Sequence, residues 1–487
     1  MLSLGSAVGT SISVHMPRLE PSNSSTLQEW LAYLETLHRT SIDMGLDRVR
    51  AVAAKLNLQL PFIKITVGGT NGKGSTCAML EAILLASGYK VGLYTSPHLV
   101  DFNERIRVNG EYASDQQIID QFHKIESTRG EISLSYFEYT TLAALILFEN
   151  QKLDVVVLEI GLGGRLDAVN LVDADCAIIT SVDIDHTAYL GDTREKIGWE
   201  KAHIFRAGRP AICADPVPPQ TLIDYAAEIG ADLWLFGKDF NYSGDRLQWA
   251  YGGRSQRRSG IAYPALRGAN QLLNASAALA ALEALRPKLA VPQQAVRIGL
   301  AQVSLPGRLQ IIPGTPAIVL DVAHNPHAAA ALGQNLDGMA YYPYTHAVVG
   351  MLNDKDVAGV IAKLATRVDH WYCAGVEGPR GMSGEALADI VRQVVTTSAA
   401  KTIAPAQPLN SAPFESAKQG IAPHRPGVRP GIVSSVSPDA VTVSSFDNPV
   451  HAFTAAREQA SDNDRIVVFG SFSTVGPVLS ELGRKVE

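Results

Sequence analysis

A glycine-rich stretch of the sequence has the residue types, in the right order, to bind phosphate groups. Residues 69–76 read Gly-Thr-Asn-Gly-Lys-Gly-Ser-Thr and lie between a predicted strand at 62–67 and a predicted helix at 75–87. Glycines let backbone N–H groups curl around phosphate oxygens, the helix N-terminus adds a favourable dipole, and Lys73 supplies a positive charge. An ordinary glycine-rich turn is the alternative. Because Gly74 separates Lys73 from Ser75, the stretch departs from the ending that kinases and GTPases share.

Carboxylates and an imidazole follow two further apolar runs. Glu159 comes directly after four apolar residues, and Asp183, Asp185 and His186 follow the run 177–180. Open α/β sheets bind ligands at the carboxyl ends of their parallel strands. A carboxylate there suits Mg²⁺, and a neutral histidine suits a second divalent ion. A solvent-exposed strand-end glutamate and a histidine hydrogen-bonded to a loop are the alternative interpretations.

The second half of the sequence carries weaker indications of the same kind. Asp321 follows a predicted strand and precedes His324 and Asn325, while Arg308 lies at a predicted domain junction. A guanidinium group there could reach phosphate oxygens across a cleft. Residues 470–475 follow the last predicted strand and fit either a backbone anion cradle or a simple loop.

Short apolar runs alternate with longer amphipathic ones, and this rhythm must position the residues above. Strands are predicted at 62–67, 90–94, 154–158 and 177–180, and again, after 305–307, at 317–320, 347–349, 370–373 and 465–469. Helices are predicted at 25–39, 75–87, 140–148, 272–285, 328–336 and 357–365. The alternation predicts an α/β fold, with a P-loop doubly wound, mainly parallel sheet domain followed by a second, smaller Rossmann-like α/β domain.

Bulk properties bound the domain count and the function class. A chain of 487 residues exceeds what one core usually supports, so we expect two domains. Between residues 401 and 449 the composition shifts to Pro, Ser, Ala and Gly, which predicts a mobile insertion or a long surface loop. A net charge of −6 gives no basic field for nucleic acid, and no apolar run reaches the ~18 residues of a membrane span.

Cysteine usage and the N-terminus suggest where the protein resides. Residues 1–14 lack the basic n-region of a signal peptide. The cysteines form no paired-ligand spacing, so buried reduced thiols fit better than zinc sites or disulfides. These cysteines are Cys77, Cys176, Cys213 and Cys373. We therefore expect a cytoplasmic protein with no nucleic-acid or membrane partner.

Taken together, the motifs resemble the Mur ligase superfamily and, within it, the bifunctional dihydrofolate synthase/folylpolyglutamate synthase branch. The resemblance covers roughly 25–400 and resumes at about 450–487, and the stretch 69–76 is typical of the superfamily. Further runs indicate the folate branch: 95–99, 103–106, 135–139, 158–170 and 320–326. The implied domains are an N-terminal extension at 1–24, a P-loop ATP-binding and pterin/folate-binding domain at 25–305, and a glutamate-ligase-type domain at 306–487 that carries the insertion.

The resemblance implies an ATP-dependent ligase that adds L-glutamate to dihydropteroate and to tetrahydrofolate through an acyl phosphate. It implies ATP contacts by Gly69, Thr70, Asn71, Gly72, Lys73, Gly74, Ser75, Thr76, Asn270, Arg308, Asp321, His324 and Asn325. It implies folate or pterin contacts by Ser96, Pro97, His98, Phe137 and Asp167, with the Phe137 ring stacking on the pterin.

The resemblance also implies the catalytic residues Lys73, Glu159, His186 and Lys201. Ser96 and Glu159 would hold a first Mg²⁺, and His186 would hold a second one together with Lys201, if that lysine is carbamylated. Spacing alone assigns no role to Lys201. A monovalent cation is a further candidate ligand, and we expect a monomer.

Two other functions remain open at this point. One is a Mur-type ligase that acts on a UDP-sugar acceptor, against which the runs 95–99 and 135–139 argue. The other is a P-loop nucleotide-binding module without ligase activity. Such a module predicts ATP hydrolysis that is indifferent to folates and to glutamate.

Overall fold

The computed structural model describes residues 21–22, 24–40, 42–245, 247–403 and 441–483. The helices in this part of the chain are α1 (Leu27–Leu37), α2 (Asp47–Leu56), α3 (Lys73–Ala86), α4 (Asp115–Arg129), α5 (Tyr136–Glu149), α6 (Thr187–Leu190), α7 (Arg194–Ala202), α8 (Gln220–Glu228), α9 (Gln271–Ala284), α10 (Gln293–Gln302), α11 (Pro326–Asp337), α12 (Val357–Leu364), α13 (Gly384–Ile403), α14 (Pro449–Gln459) and α15 (Phe472–Glu481).

The strands in the same part of the chain are β1 (Ile63–Gly68), β2 (Val91–Tyr94), β3 (Ile106–Val108), β4 (Glu111–Tyr112), β5 (Val155–Glu159), β6 (Cys176–Ile179), β7 (Pro210–Cys213), β8 (Asp232–Leu235), β9 (Asn241–Gly244), β10 (Gln248–Gly252), β11 (Arg257–Ala262), β12 (Gln310–Ile312), β13 (Ala317–Leu320), β14 (Thr345–Val349), β15 (His370–Ala374), β16 (Thr442–Phe446) and β17 (Arg465–Phe469).

The first sheet places the ends of β1, β5 and β6 side by side. It has eight strands in the order β4-β3-β2-β5-β1-β6-β7-β8, parallel except for the pairings of β3 and β4. Val67 of β1 pairs with Glu159 of β5 on one side and with Ile178 of β6 on the other. β5 and β6 are buried along their whole length, as expected where helices cover both faces of a parallel sheet.

The helix that follows β1 is tightly held by its neighbours. Most of α3 is buried, and α10 packs along it. A Cβ added at Gly299 of α10 would lie 2.6 Å from the backbone of Ile83 in α3, so only a glycine permits this close approach. The packing therefore fixes the helix whose N-terminus faces the glycine-rich stretch.

The second large sheet follows residue 309 and has six strands in the order β12-β13-β17-β14-β15-β16. Its pairings are parallel apart from β12 with β13, and apolar clusters cover both of its faces. The α/β fold with two successive sheets is confirmed. The predicted domain boundaries, 25–305 for the first domain and 306–487 for the second, stay predictions. Between the two large sheets in sequence, β9, β10 and β11 form a small antiparallel sheet that the apolar pattern did not predict.

The loop predicted at 401–449 is wrong at both ends, because α13 continues to Ile403 and the last part contains β16. β16 pairs in parallel with β15, and α14 begins at Pro449. The side chains of β16 are mostly exposed or half-buried, so no apolar run marks this edge strand in the sequence. The remainder of that prediction at 404–440 and the N-terminal extension at 1–20 lie outside the described residues.

Two other expectations concern cysteines and membranes. All four cysteines are buried and free, as the sequence predicts. Within the described ranges, no helix is long and apolar enough to cross a bilayer.

Candidate active site

The glycine-rich stretch forms an open loop between β1 and α3. Gly69 and Gly72 have φ of +141° and +88°, backbone conformations that favour glycine. A Cβ at Gly69 would lie 2.0 Å from Thr180 Oγ1, and one at Gly72 would lie 2.4 Å from Asn274 Oδ1. No side chain caps the N-terminus of α3, so its first N–H groups are available to an anion.

Two lysines converge on the carbonyl groups of this loop. Lys73 Nζ donates to Gly69 O at 3.1 Å and to Thr70 O at 3.3 Å. Lys201 in α7 is buried, and its Nζ also donates to Gly69 O, at 3.0 Å. Burial and the nearby charge of Lys73 lower the pKa of Lys201 to about 7. The structure thus brings a lysine without an informative sequence pattern to the phosphate loop.

Glu159 provides a buried carboxylate beside the loop. Its Oε2 accepts a hydrogen bond from Ser96 N at 3.1 Å, and the residue is 5% exposed. Burial raises the pKa of Glu159, while Lys73 and the Ser96 N–H favour the ionised form. A carboxylate held in this way gains stability from any further cation that reaches it.

The turn after β6 is tied to the second sheet by a polar network around Asp185. Lys355 Nζ lies 2.7 Å from Asp185 Oδ1, and Asn325 Nδ2 lies 3.3 Å from Asp185 Oδ2. Nε2 of His324 lies 3.6 Å from Asp185 Oδ2. Although burial raises the pKa of Asp185, His324 and Lys355 outweigh it and hold the pKa below its usual range. The network therefore joins the two sheets across the cleft.

His186 faces the same space with one nitrogen unpaired. Its Nε2 lies 3.1 Å from Lys355 Nζ, whereas its buried Nδ1 has no hydrogen-bond partner. Burial lowers the pKa of His186 to about 4, so the ring is neutral near pH 7. Because the Lys355 ammonium group can only donate, its contact places the ring proton on Nδ1, so a divalent ion would have to replace Lys355 at Nε2.

Lys355 is a site residue that the sequence analysis missed. It lies in the loop after β14 within Asp354-Lys355-Asp356, and its side chain is 5% exposed. The position just past a buried strand is the signal that could have found it. Its partners Asp185 and His186 are about 170 residues away in sequence, so no local pattern indicates the contact.

Arg308 reaches the cleft from the junction between the sheets. Its guanidinium carbon lies 4.9 Å from the centre of the Phe472 ring, and burial lowers the pKa of the group. Asp321 accepts hydrogen bonds from Leu309 N and Ala323 N, each at 2.8 Å. Asp321 thus fixes the turn that carries Arg308.

These residues line a first cavity that extends from the glycine-rich loop to α11. The predicted site residues in its wall are Gly69, Thr70, Asn71, Gly72, Lys73, Gly74, Ser75, Ser96, Pro97, Glu159, His186, Lys201, Asn270, Arg308, Asp321 and His324. Two predicted ATP contacts are absent from this wall. Thr76 is fully buried in α3. Asn325 is 3% exposed, and its Oδ1 accepts a hydrogen bond from Ala328 N at 2.9 Å.

A second cavity adjoins the first and contains the predicted pterin residues. Its volume is about 570 Å³, within the usual range for small-molecule sites, and Ser96, Pro97, His98, Phe137 and Asp167 line it. Ser96, Pro97, His186 and His324 belong to the walls of both cavities. A ligand in the second cavity can therefore extend to the phosphate loop.

The Phe137 ring forms one wall of the second cavity. It stacks on Tyr94 with ring centres 6.1 Å apart, and a Cβ at Gly161 would lie 2.6 Å from its edge. Asp167 accepts Leu162 N at 2.8 Å, and burial raises its pKa to about 7. A flat aromatic face beside a polar carboxyl group suits a planar heterocycle.

Glu159, Ser96 and His186 could bind divalent ions only together with ligands from other groups. Across the described ranges, no group of three His, Cys, Asp or Glu residues could hold a metal ion on its own. The buried Glu159 beside Ser96, and Nε2 of His186 once Lys355 is displaced from it, each offer part of a coordination shell. Phosphate oxygens, or a modified lysine, would have to supply the rest.

The chain is similar to known proteins in both sequence and structure. The sequence matches the Mur ligase middle domain over residues 67–282 and the Mur ligase glutamate ligase domain over residues 307–472. It is 44% identical over 461 residues to the dihydrofolate synthase/folylpolyglutamate synthase of Escherichia coli K12, covering 94% of this chain and 96% of that protein. The Haemophilus influenzae protein of the same name is 38% identical, covering 94% of this chain and 98% of that protein.

Solved structures agree with the sequence matches. E. coli FolC in complex with DHPP and ADP superimposes with a TM-score of 0.82 and 42% identity, covering 95% of this chain and 99% of that chain. A bifunctional folylpolyglutamate synthase/dihydrofolate synthase with Mn, AMPPNP and L-glutamate bound has a TM-score of 0.79 and 42% identity, with the same coverage. The chain therefore belongs to the dihydrofolate synthase/folylpolyglutamate synthase family of the Mur ligases.

Proposed function

We propose that this protein uses ATP to join L-glutamate to the carboxylate of a pteroyl substrate, acting on dihydropteroate and on tetrahydrofolate. The observation that carries the proposal is the shared wall of the two cavities at Ser96 and Pro97. A pterin beside Phe137 would point its carboxylate tail through this opening toward the loop of Lys73. Family membership supports the folate acceptor over a UDP-sugar and the ligase over a simple binding module.

The first step brings two negative groups together. The acceptor carboxylate attacks the γ-phosphorus of ATP, and ADP leaves, so that an acyl phosphate forms. At ~4 Å each pair of unit charges repels by about 4 kcal/mol at an effective dielectric constant of 20. Lys73 and Arg308 lie on the cavity wall where they offset this repulsion, as do the free N–H groups of α3. Positioning and electrostatics carry the step, and no protein nucleophile is needed.

The second step forms the amide. The α-amine of glutamate attacks the acyl carbon, and the tetrahedral intermediate releases phosphate. Lys355 and His324 line the second cavity near this point and present a cation and an imidazole to incoming carboxylates. Because Asp185 connects the two sheets, the cleft can exclude the water that would hydrolyse an acyl phosphate.

Mg²⁺ would supply charge neutralisation on the ATP phosphates. Ser96 and Glu159 would hold one ion, and His186 with a carbamylated Lys201 would hold another. A pKa of about 7 leaves a large share of the Lys201 amine neutral near pH 7, and the neutral amine is the form that adds CO₂. In this addition the Lys201 Nζ forms a bond to the carbon of CO₂, and one proton is released from the nitrogen. The monovalent cation and the monomeric state stay predictions without an assigned set of residues.

A three-substrate assay tests the function. ATP and L-glutamate are combined in parallel with dihydropteroate, tetrahydrofolate or a UDP-muramyl acceptor, and phosphate release and amide product are measured. We expect turnover with both pteroyl substrates and none with the UDP-sugar. Turnover with the UDP-sugar alone, or ATP hydrolysis indifferent to glutamate, would contradict the proposal.

A further inference from the structure

A pocket remote from both cavities is surrounded by arginines. Arg257, Arg258 and Arg286 line it, and no Asp or Glu is among its lining residues. Arg257 and Arg258 belong to β11, while Arg286 follows α9. In the part of the chain that the structure describes, none of the three guanidinium groups forms an ion pair with a carboxylate. The pocket therefore holds an excess of positive charge.

Arg258 is the buried member of this group and is incompletely paired. It is 9% exposed, and its Nη2 donates to Val291 O at 2.9 Å while Nη1 donates to Gln293 Oε1 at 3.3 Å. Its buried Nε has no hydrogen-bond partner. Burial lowers the pKa of Arg258, and the charge of Arg286 acts in the same direction. A buried cation in this setting gains from an added anion.

Glu283, whose charge acts on Arg258, accepts hydrogen bonds from neutral groups, two of which belong to residues that line the pocket. Glu283 is 5% exposed and accepts hydrogen bonds from Tyr251 Oη at 2.7 Å, Ser255 N at 2.6 Å and Gln256 N at 3.0 Å. These neutral donors occupy both of its oxygens. Glu283 offsets part of the arginine charge, and two of three positive charges remain uncompensated.

The N-terminus of α10 opens into the same pocket. The N-cap Pro292 and the first helical residue Gln293 are part of the wall, no side chain caps the helix, and the first turn has no acidic residue. Free N–H groups and the positive end of the helix dipole both favour an anion there. The helix thus adds a second kind of donor to the guanidinium groups.

The pocket is separated from the catalytic cleft by the length of a helix. Tyr89 Oη, just past the C-terminal end of α3, donates to Ala290 O at 3.1 Å in the pocket wall. Lys73 begins the same helix, whose 14 residues span about 20 Å at 1.5 Å per residue. The two anion-attracting regions share no lining residue.

We propose that the pocket formed by Arg257, Arg258, Arg286 and the N-terminus of α10 is a second binding site, specific for a phosphate-type oxyanion. Guanidinium forks and backbone N–H groups match the several oxygens of a tetrahedral anion. The site is independent of the proposed ligase reaction, so its test does not depend on turnover.

Equilibrium dialysis with radiolabelled inorganic phosphate tests the site on the full chain. Saturating AMPPNP with Mg²⁺ occupies the catalytic cleft, including the position of the γ-phosphate, and the bound phosphate per chain is measured at low ionic strength. We expect one saturable site, weakened about tenfold in Arg257→Ala and in Arg286→Ala, since a charged hydrogen bond is removed in each. Both residues are exposed, so the fold survives, and ADP binding by each variant verifies this.

A matched variant separates the pocket from general surface charge. Arg297 is an exposed residue of α10 outside the pocket wall, and Arg297→Ala removes an equal charge from the helix whose N-terminus forms part of the pocket. Phosphate affinity should be unchanged in this variant. The proposal is overturned if no saturable site is found, if Arg297→Ala weakens binding as much as the other two, or if an equal concentration of glutamate displaces the phosphate.

Discussion

The wall of the second cavity allows a sharp test at Gly161. Adding a methyl group there places a Cβ 2.6 Å from the Phe137 ring edge, whereas ordinary contact begins at 3.4 Å. The ring must therefore move by about 0.8 Å. Because the clash is with the far end of a side chain, and Gly161 is not among the positive-φ glycines, the backbone is not strained. We expect Gly161→Ala to fold and to lose the aromatic face for the pterin.

The size of the effect follows from the value of an aromatic contact. A stacked pair contributes about 0.5–1.5 kcal/mol beyond burial, so dihydropteroate affinity should fall about 2- to 12-fold. Titration with dihydropteroate measures this, and ADP titration checks that the phosphate loop is intact. The matched control is Gly45→Ala, because Gly45 lines the same cavity and a Cβ there has no neighbour within 4 Å.

A second variant tests the mechanism. When Phe137→Leu is added to Gly161→Ala, the shorter leucine side chain no longer clashes with the new methyl group. The double variant should therefore bind dihydropteroate no worse than Phe137→Leu alone. The reasoning is refuted if Gly161→Ala binds dihydropteroate like the parent protein. It is also refuted if Gly45→Ala is equally impaired.

Three other outcomes follow from the site and its surroundings. Lys201→Ala should lose ligase activity and regain part of it with added short carboxylic acids, because these replace the carbamate; full activity without them would contradict the assignment. Lys355→Met should lower the free energy of unfolding by about 3 kcal/mol in urea titrations, because it leaves Asp185 without its nearest cation, while exposed Lys363→Met should change little. Burial raises the pKa of Glu81 to about 7, above its unfolded value, so its stabilising contribution is complete below pH ~4.5 and is lost as pH rises through 7. Glu81→Gln should therefore gain stability relative to the parent between pH 5 and 7, by up to about 3 kcal/mol, and a pH-independent difference would argue against this ionisation.

The phosphate loop and the strand-end acids could be predicted because their information is local. A loop between a strand and a helix needs only glycines and a lysine in order, and Glu159 needs only an apolar run before it. Parallel pairing of β1, β5 and β6 then brings these residues together, as the sequence analysis expects.

The contacts across the cleft could not be predicted, because they depend on how two sheets face each other. Lys355 pairs with Asp185 only through that arrangement, and Lys201 reaches Gly69 O from a helix 132 residues away. The edge strand β16 and the small antiparallel sheet were missed for another reason. The side chains of β9 and β16 are exposed or half-buried, and β10 and β11 bury only separated residues such as Trp249, Tyr251 and Ile261, so no continuous apolar run marks these strands.

The ion pair between Asp185 and Lys355 joins the two sheets, and it therefore affects whether they unfold together or separately on heating. Residues from the loops and helices around both sheets line the first cavity, so a ligand that contacts both walls binds when the two sheets are held together. Coupling between two equilibria is reciprocal. Contacts that hold the two sheets together raise the affinity for the ligand, and the bound ligand stabilises the association of the sheets by the same free energy. A ligand at a concentration of one hundred times its dissociation constant raises the free energy of unfolding by about 2.7 kcal/mol. Calorimetry should therefore show the two halves of the chain unfolding in a single, more cooperative transition once the cleft is filled.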